Sequence, residues 1–149
     1  MKKYKEILKM AVENEVEAHE FYKDAAAKVD NNVLKSTFKE LADEEKKHEQ
    51  LLKSYFEKST DEMKFDETKD YHIAETVEKQ PLTTSMSFKD AIALAMKKEQ
   101  EAMEMYQQFA NASEDDAQKQ TFQELAKMEQ GHKTRLEDIY NNAAFAEVW

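Results

Sequence analysis

Two short runs in this sequence place an imidazole three residues after a carboxylate: Glu45 with His48, and Glu129 with His132. On a helix, residues three apart share a face, so each run would present an oxygen and a nitrogen donor to one point. A further glutamate stands 30 positions before each run, Glu15 before Glu45 and Glu99 before Glu129. Four carboxylates carry four negative charges, which two divalent cations would cancel. With two neutral imidazoles they form a donor set suited to iron or manganese, and zinc accepts the same ligands. The chain has no Cys, which removes disulfides, thiolate zinc sites, iron-sulfur clusters and thiol catalysis.

Such ligands need rigid elements to bring them to one level, and the chain supplies these twice. Shifting the sequence by 84 positions aligns residues 5 to 56 with 89 to 140 without a gap, and about 17 of the 52 pairs are identical. Glu15 then falls on Glu99, Ala18 on Ala102, Tyr22 on Tyr106, Glu45 on Glu129 and His48 on His132. Within each copy apolar residues recur at steps of four and three. The first helix reads Tyr4, Leu8, Ala11, Glu15, Ala18, Tyr22, Ala25, and the second Leu34, Phe38, Leu41, Glu45, His48, Leu52, Tyr55. This is a core-facing stripe, so each copy is predicted to be a helical hairpin and the whole an all-α four-helix bundle.

The expected boundaries are a first hairpin over about 3–56, a crossover over about 57–86 with a short helix near Tyr71 to Lys79, and a second hairpin over about 87–140. The whole forms one domain over 1–149. Asp30-Asn31-Asn32 breaks the first hairpin. Ser113 to Asp116 breaks the second and reads as an N-cap, as does Ser87 to Asp90 before the third helix.

The six ligand-type residues interrupt the stripes where apolar side chains belong. An isolated buried carboxylate is very costly, so it must be paired, protonated or metal-bound. In an antiparallel hairpin, residues equally far from the turn are level. Glu15 and Glu45, and likewise Glu99 and Glu129, each sit roughly 22 Å from their turns, near mid-bundle. Ion pairing alone would leave two histidines to compensate four carboxylates. Tyr22 and Tyr106 are read either as core residues or as hydrogen-bond partners of the carboxylates. His19 and His72 have no repeat partner and are expected at the surface, while the Met residues are expected to fill the core. Gly131, mid-helix beside His132, marks either a close contact or a tolerated loss of helix propensity.

Composition narrows the partners. One Gly, one Pro and an excess of 32 acidic over 22 basic residues give a helix-prone chain of formal charge -10, which repels nucleic acid and anionic membranes and favours cations. Neither a signal peptide nor a stretch of roughly 20 apolar residues is seen, so a soluble, cytoplasmic protein is expected. A homodimer is the expected assembly.

The segments AVENEVEAHEFY with ADEEKKHEQLL, and AMKKEQEAMEMY with AKMEQGHKTRL, resemble the rubrerythrin branch of the ferritin-like superfamily. The resemblance covers nearly all but the crossover. It implies a two-metal site on Glu15, Glu45, His48, Glu99, Glu129 and His132, and a non-haem iron oxidoreductase that consumes hydrogen peroxide or oxygen. Two departures matter. Full rubrerythrins carry a Cys-rich domain for electron delivery, so an external electron donor is expected here. They also carry a further Glu three residues after the third-helix ligand, where this sequence has Ala102. A nearly symmetric six-ligand site is therefore expected. The other function carried forward is iron oxidation, storage or buffering of the ferritin kind.

Overall fold

The computed structural model describes residues 2–57 and 80–142. The helix expected near Tyr71 to Lys79, and His72, lie outside the described residues. Among the described residues there are four helices: α1 (Lys2–Lys28), α2 (Asn32–Glu57), α3 (Phe88–Ala112) and α4 (Asp116–Asn142).

The starts of α2, α3 and α4 each have a local cause. Asn31 Oδ1 accepts from the backbone N–H of Val33 and Leu34 and so caps α2. Ser87 Oγ accepts from the Asp90 N–H at the start of α3. At α4 the cap is Asp115, whose Oδ2 accepts from the Gln118 N–H at 2.9 Å. Ser113, expected as this cap, instead ends α3. Its hydroxyl donates to the Phe109 carbonyl and accepts from the buried Gln118 amide.

Direction follows from the packing. Ile7, Leu8 and Ala11 of α1 share a core with Leu52 and Tyr55 of α2, Met105 to Ala110 of α3, and Phe122 to Ala126 of α4. A second core joins Phe21 to Val29, Phe38 to Ala42, Phe88 to Ala95, and Leu136 with Ile139. The start of α1 therefore lies beside the end of α3, and α1 and α3 are antiparallel, as are α2 and α4. Helices α2 and α3 run the same way, so their connection must travel the length of the bundle. At 1.5 Å rise per residue that is about 39 Å, well within the reach of 30 residues.

The two apolar cores flank a central polar layer, which they screen from water along the bundle axis. Met residues contribute less than expected: Met105 is buried, but Met128 is exposed and Met10, Met86, Met96 and Met103 are half-buried. His19 is not a free surface residue. It is half-buried, and its Nδ1–H donates to the Ala42 carbonyl at 2.7 Å, tying α1 to α2. Gly131 faces open space, with nothing within 4 Å of where a Cβ would stand, so no close contact requires it.

Candidate metal centre

The polar layer consists of Glu15 from α1, Glu45 and His48 from α2, Glu99 from α3, and Glu129 and His132 from α4, all at most 3 % exposed. They form two overlapping groups. Glu15, Glu45, His48 and Glu129 offer donor atoms that all lie within 4.8 Å of one another, and so do Glu45, Glu99, Glu129 and His132. Glu45 and Glu129 belong to both groups. Helix spacing alone puts the six residues at one level, and the fold decides which carboxylates face both groups.

The imidazoles cross between hairpins. His48 Nδ1 lies 2.8 Å from Glu129 Oε1, and His132 Nδ1 lies 2.9 Å from Glu45 Oε1. The two rings face each other nearly parallel, 5.8 Å between centroids. Despite these short distances, Glu15 Oε2, Glu45 Oε1, Glu99 Oε2, Glu129 Oε1 and both ring nitrogens of each histidine make no aligned hydrogen bond. The other oxygen of two of the glutamates is satisfied: Tyr22 Oη donates to Glu99 Oε1 at 2.7 Å, and Tyr106 Oη donates to Glu15 Oε1.

A buried carboxylate outside the cluster shows the contrast. Glu49, 3 % exposed, receives Lys53 Nζ at 2.6 Å and Lys46 Nζ at 3.3 Å, and these lysines hold its carboxyl below the usual range. Glu49 has its cations in the chain. The six central residues turn unpartnered oxygen and nitrogen atoms towards one another, and a buried polar atom without a partner costs about 1–3 kcal/mol. These atoms and their chemistry fit a pair of divalent cations.

Without cations the layer must retain protons. Burial, reinforced by repulsion from Glu15 and Glu99, pushes Glu45 well above the carboxylate range. Burial and the charges of Glu45, Glu99 and Glu15 do the same to Glu129. Glu99 moves the other way: its burial is outweighed chiefly by His132 beside it. For both histidines burial opposes the charged ring, but the adjoining carboxylates prevail. They raise His132 and bring His48 to about 10. Protons thus occupy the space where cations would balance the same charge.

The model of the Rubrerythrin family matches residues 6–140. The chain belongs to the rubrerythrin family. Among solved structures, this rubrerythrin-family chain is similar to a hypothetical protein from Pyrococcus furiosus. The identity is 31%, with 92% of this chain and 87% of that one covered and a TM-score of 0.70. It shares its fold with a Thermotoga maritima protein assigned to the ferritin-like diiron-carboxylate class. That match has 19% identity, covers 94% of this chain and 95% of that one, and has a TM-score of 0.72. No curated protein matches. The family and the buried Glu and His cluster together give a ferritin-like four-helix bundle whose centre fits a di-iron site.

Around that centre, the structure places Ala18 and Ala102 differently from the stripe reading. Both are half-buried and line a cleft between α1 and α3 that reaches Glu15 and Glu99. The sequence reading also missed Glu44 and Arg135. Glu44 Oε2 lies 3.4 Å from His132 Nε2 and 3.2 Å from Arg135 Nη1. The available signal was a break in the repeat: Glu44 aligns with Met128, and Arg135 with Leu51.

Proposed function

We propose that this protein is a non-haem di-iron oxidoreductase that reduces hydrogen peroxide or oxygen, drawing electrons from a donor outside these 149 residues. The observation that carries this reading is the set of inward-facing, unpartnered donor atoms on six buried side chains. In this reading Glu15 and His48 would hold one ion and Glu99 and His132 the other, with Glu45 and Glu129 available to both. A bound iron pair supplies electrons and open coordination positions to a small oxidant.

The remaining work belongs to the chain. Tyr22 and Tyr106 are buried beside carboxylates, and burial first, then the charges of Glu99 and Glu15 respectively, raises both phenols well above their ordinary value. Each therefore stays protonated and acts as a fixed donor, orienting Glu99 and Glu15. Phe38, Phe109 and Phe122, all fully buried, lie in the apolar cores on either side and exclude bulk water. The cleft beside Ala18 and Ala102 has small side chains where a further carboxylate would fill space, which suits entry of a small oxidant. Reduction of one hydrogen peroxide to two waters takes two electrons and two protons. These 149 residues contain no cysteine to relay the electrons.

Stopped-flow mixing of anaerobic, iron(II)-loaded protein with one equivalent of each oxidant tests the reading. Oxidation by hydrogen peroxide faster than by oxygen is the expected result, with turnover dependent on added reductant. No reaction with either oxidant over minutes would end the enzyme reading. A much faster reaction with oxygen would move the protein to iron oxidation and storage, as would sedimentation as a large shell instead of the homodimer proposed here.

A further inference from the structure

The six central residues obey the internal two-fold repeat, but their surroundings do not. A neutral histidine that offers Nδ1 to a metal keeps its proton on Nε2. Both rings turn Nδ1 inward, towards Glu129 for His48 and towards Glu45 for His132. Their outward nitrogens meet different environments.

His132 Nε2 lies 3.4 Å from Glu44 Oε2, and that oxygen lies 3.2 Å from Arg135 Nη1, which is also 3.6 Å from Glu40. The Nε2, Oε2 and Nη1 atoms are all buried, although the Arg135 side chain reaches the surface at its edge. An imidazole, a carboxylate and a guanidinium thus follow one another from the centre outward at ion-pair distances. The repeat-related positions hold Met128 and Leu51, which are 39% and 36% exposed and can accept no proton. His48 Nε2 is buried with no hydrogen-bond partner among the described residues.

We propose that Glu44, held by Arg135, is a positioning residue for His132, and that it makes the Glu99/His132 half the tighter of two unequal metal positions. A carboxylate behind a ligand histidine fixes its tautomer and ring orientation and strengthens it as a donor. Arg135 holds that carboxylate in place. On the other side, His48 gains no such support, so its ring is freer to turn and its metal position fills later. This rests on the reading that the six residues bind two divalent ions.

Anaerobic titration of the full-length, chelator-treated protein with Co(II), followed by visible absorption, tests it. Wild type should fill in two resolved steps. Glu44→Gln should weaken the tighter step by about 10–100-fold, the usual cost of losing such a partner, and leave the weaker step unchanged. Arg135→Leu should act in the same direction. The weaker step, which a merely structural loss would disturb as much as the tighter one, is the internal control that separates positioning from a structural role. The reverse variant, Leu51→Arg with Met128→Glu, should tighten the weaker step and bring the two together, and it decides the matter if the Glu44 variant folds poorly. Two Co(II) bound with equal affinity in wild type, or Glu44→Gln weakening both steps alike, overturns the inference and leaves the two-metal reading standing. No Co(II) bound at all removes the two-metal reading, and this inference with it.

Discussion

Tyr22 on α1 donates its hydroxyl hydrogen bond to Glu99 on α3, at 2.7 Å, and not to Glu15 on its own helix. Tyr22 follows Glu15 by seven residues, about 10.5 Å along the axis of α1. The packing of α1 against α3 turns the Tyr22 hydroxyl to Glu99, and likewise the Tyr106 hydroxyl to Glu15. Each hairpin's carboxylate is thus oriented by the other hairpin's tyrosine.

Removing either hydroxyl should therefore loosen the contact between hairpins. Tyr22→Phe or Tyr106→Phe leaves a buried carboxylate oxygen without its donor. The expected loss is about 1.5–3 kcal/mol of unfolding free energy, the range for hydrogen bonds to charged groups. Denaturant unfolding of the metal-loaded variants measures it. Unaltered midpoints in both would show that these bonds contribute nothing to holding the hairpins together.

The shared position of Glu45 and Glu129 predicts an unequal response to ligand removal. Glu45→Ala or Glu129→Ala should lower the occupancy of both ions, because each group belongs to both donor sets. Glu15→Ala or Glu99→Ala should leave about one ion per chain at saturating metal. Elemental analysis of the purified variants reads the ratio directly. Two ions retained after loss of Glu45 would remove it from the shared role.

Stability should depend on pH in opposite senses with and without metal. In the metal-free chain, the pKa of His48 rises from 6.5 unfolded to about 10 folded, and those of Glu45 and Glu129 rise well above 4.5. A raised folded pKa stabilises fully below the unfolded pKa, and the contribution fades as pH climbs through the folded one. The His48 contribution is thus present below about pH 6.5 and is lost towards pH 10. Metal binding displaces these protons and is favoured as pH rises. The melting temperature should be lower without metal, and the gap between chelated and loaded protein should widen from pH 6 to 9. A gap that is absent, or that narrows with pH, would contradict the buried-cluster reading.

Gly131 offers a test away from the centre's chemistry. It is exposed in the middle of α4 with open space at its Cβ position, so Gly131→Ala should raise the unfolding free energy by up to about 1 kcal/mol. Metal content should not change. A loss of stability would mean that the loaded protein needs a glycine beside His132.

The sequence by itself determined the helices, their pairing and the donor groups that each helix carries inward. The repeat and the four-three stripes are local patterns, and a charged residue in an apolar stripe stands out wherever the helix packs. Counting from the turns placed Glu15 with Glu45, and Glu99 with Glu129, because the rise per residue is fixed. It could not say which carboxylates face both imidazoles. That depends on how one hairpin sits against the other, and only the tertiary structure put Glu45 and Glu129 in both donor groups. The tyrosine contacts have the same origin, since they follow the register between α1 and α3. Glu44 and Arg135 were hidden for a different reason. Identities between the repeats point to what is symmetric, and these two residues act at positions where the repeats differ. His19 likewise looks like a polar surface residue in sequence, and only the approach of α2 turns it towards the Ala42 carbonyl. Local periodicity therefore fixed what each helix offers, and the packing of the two hairpins decided which offered atoms meet.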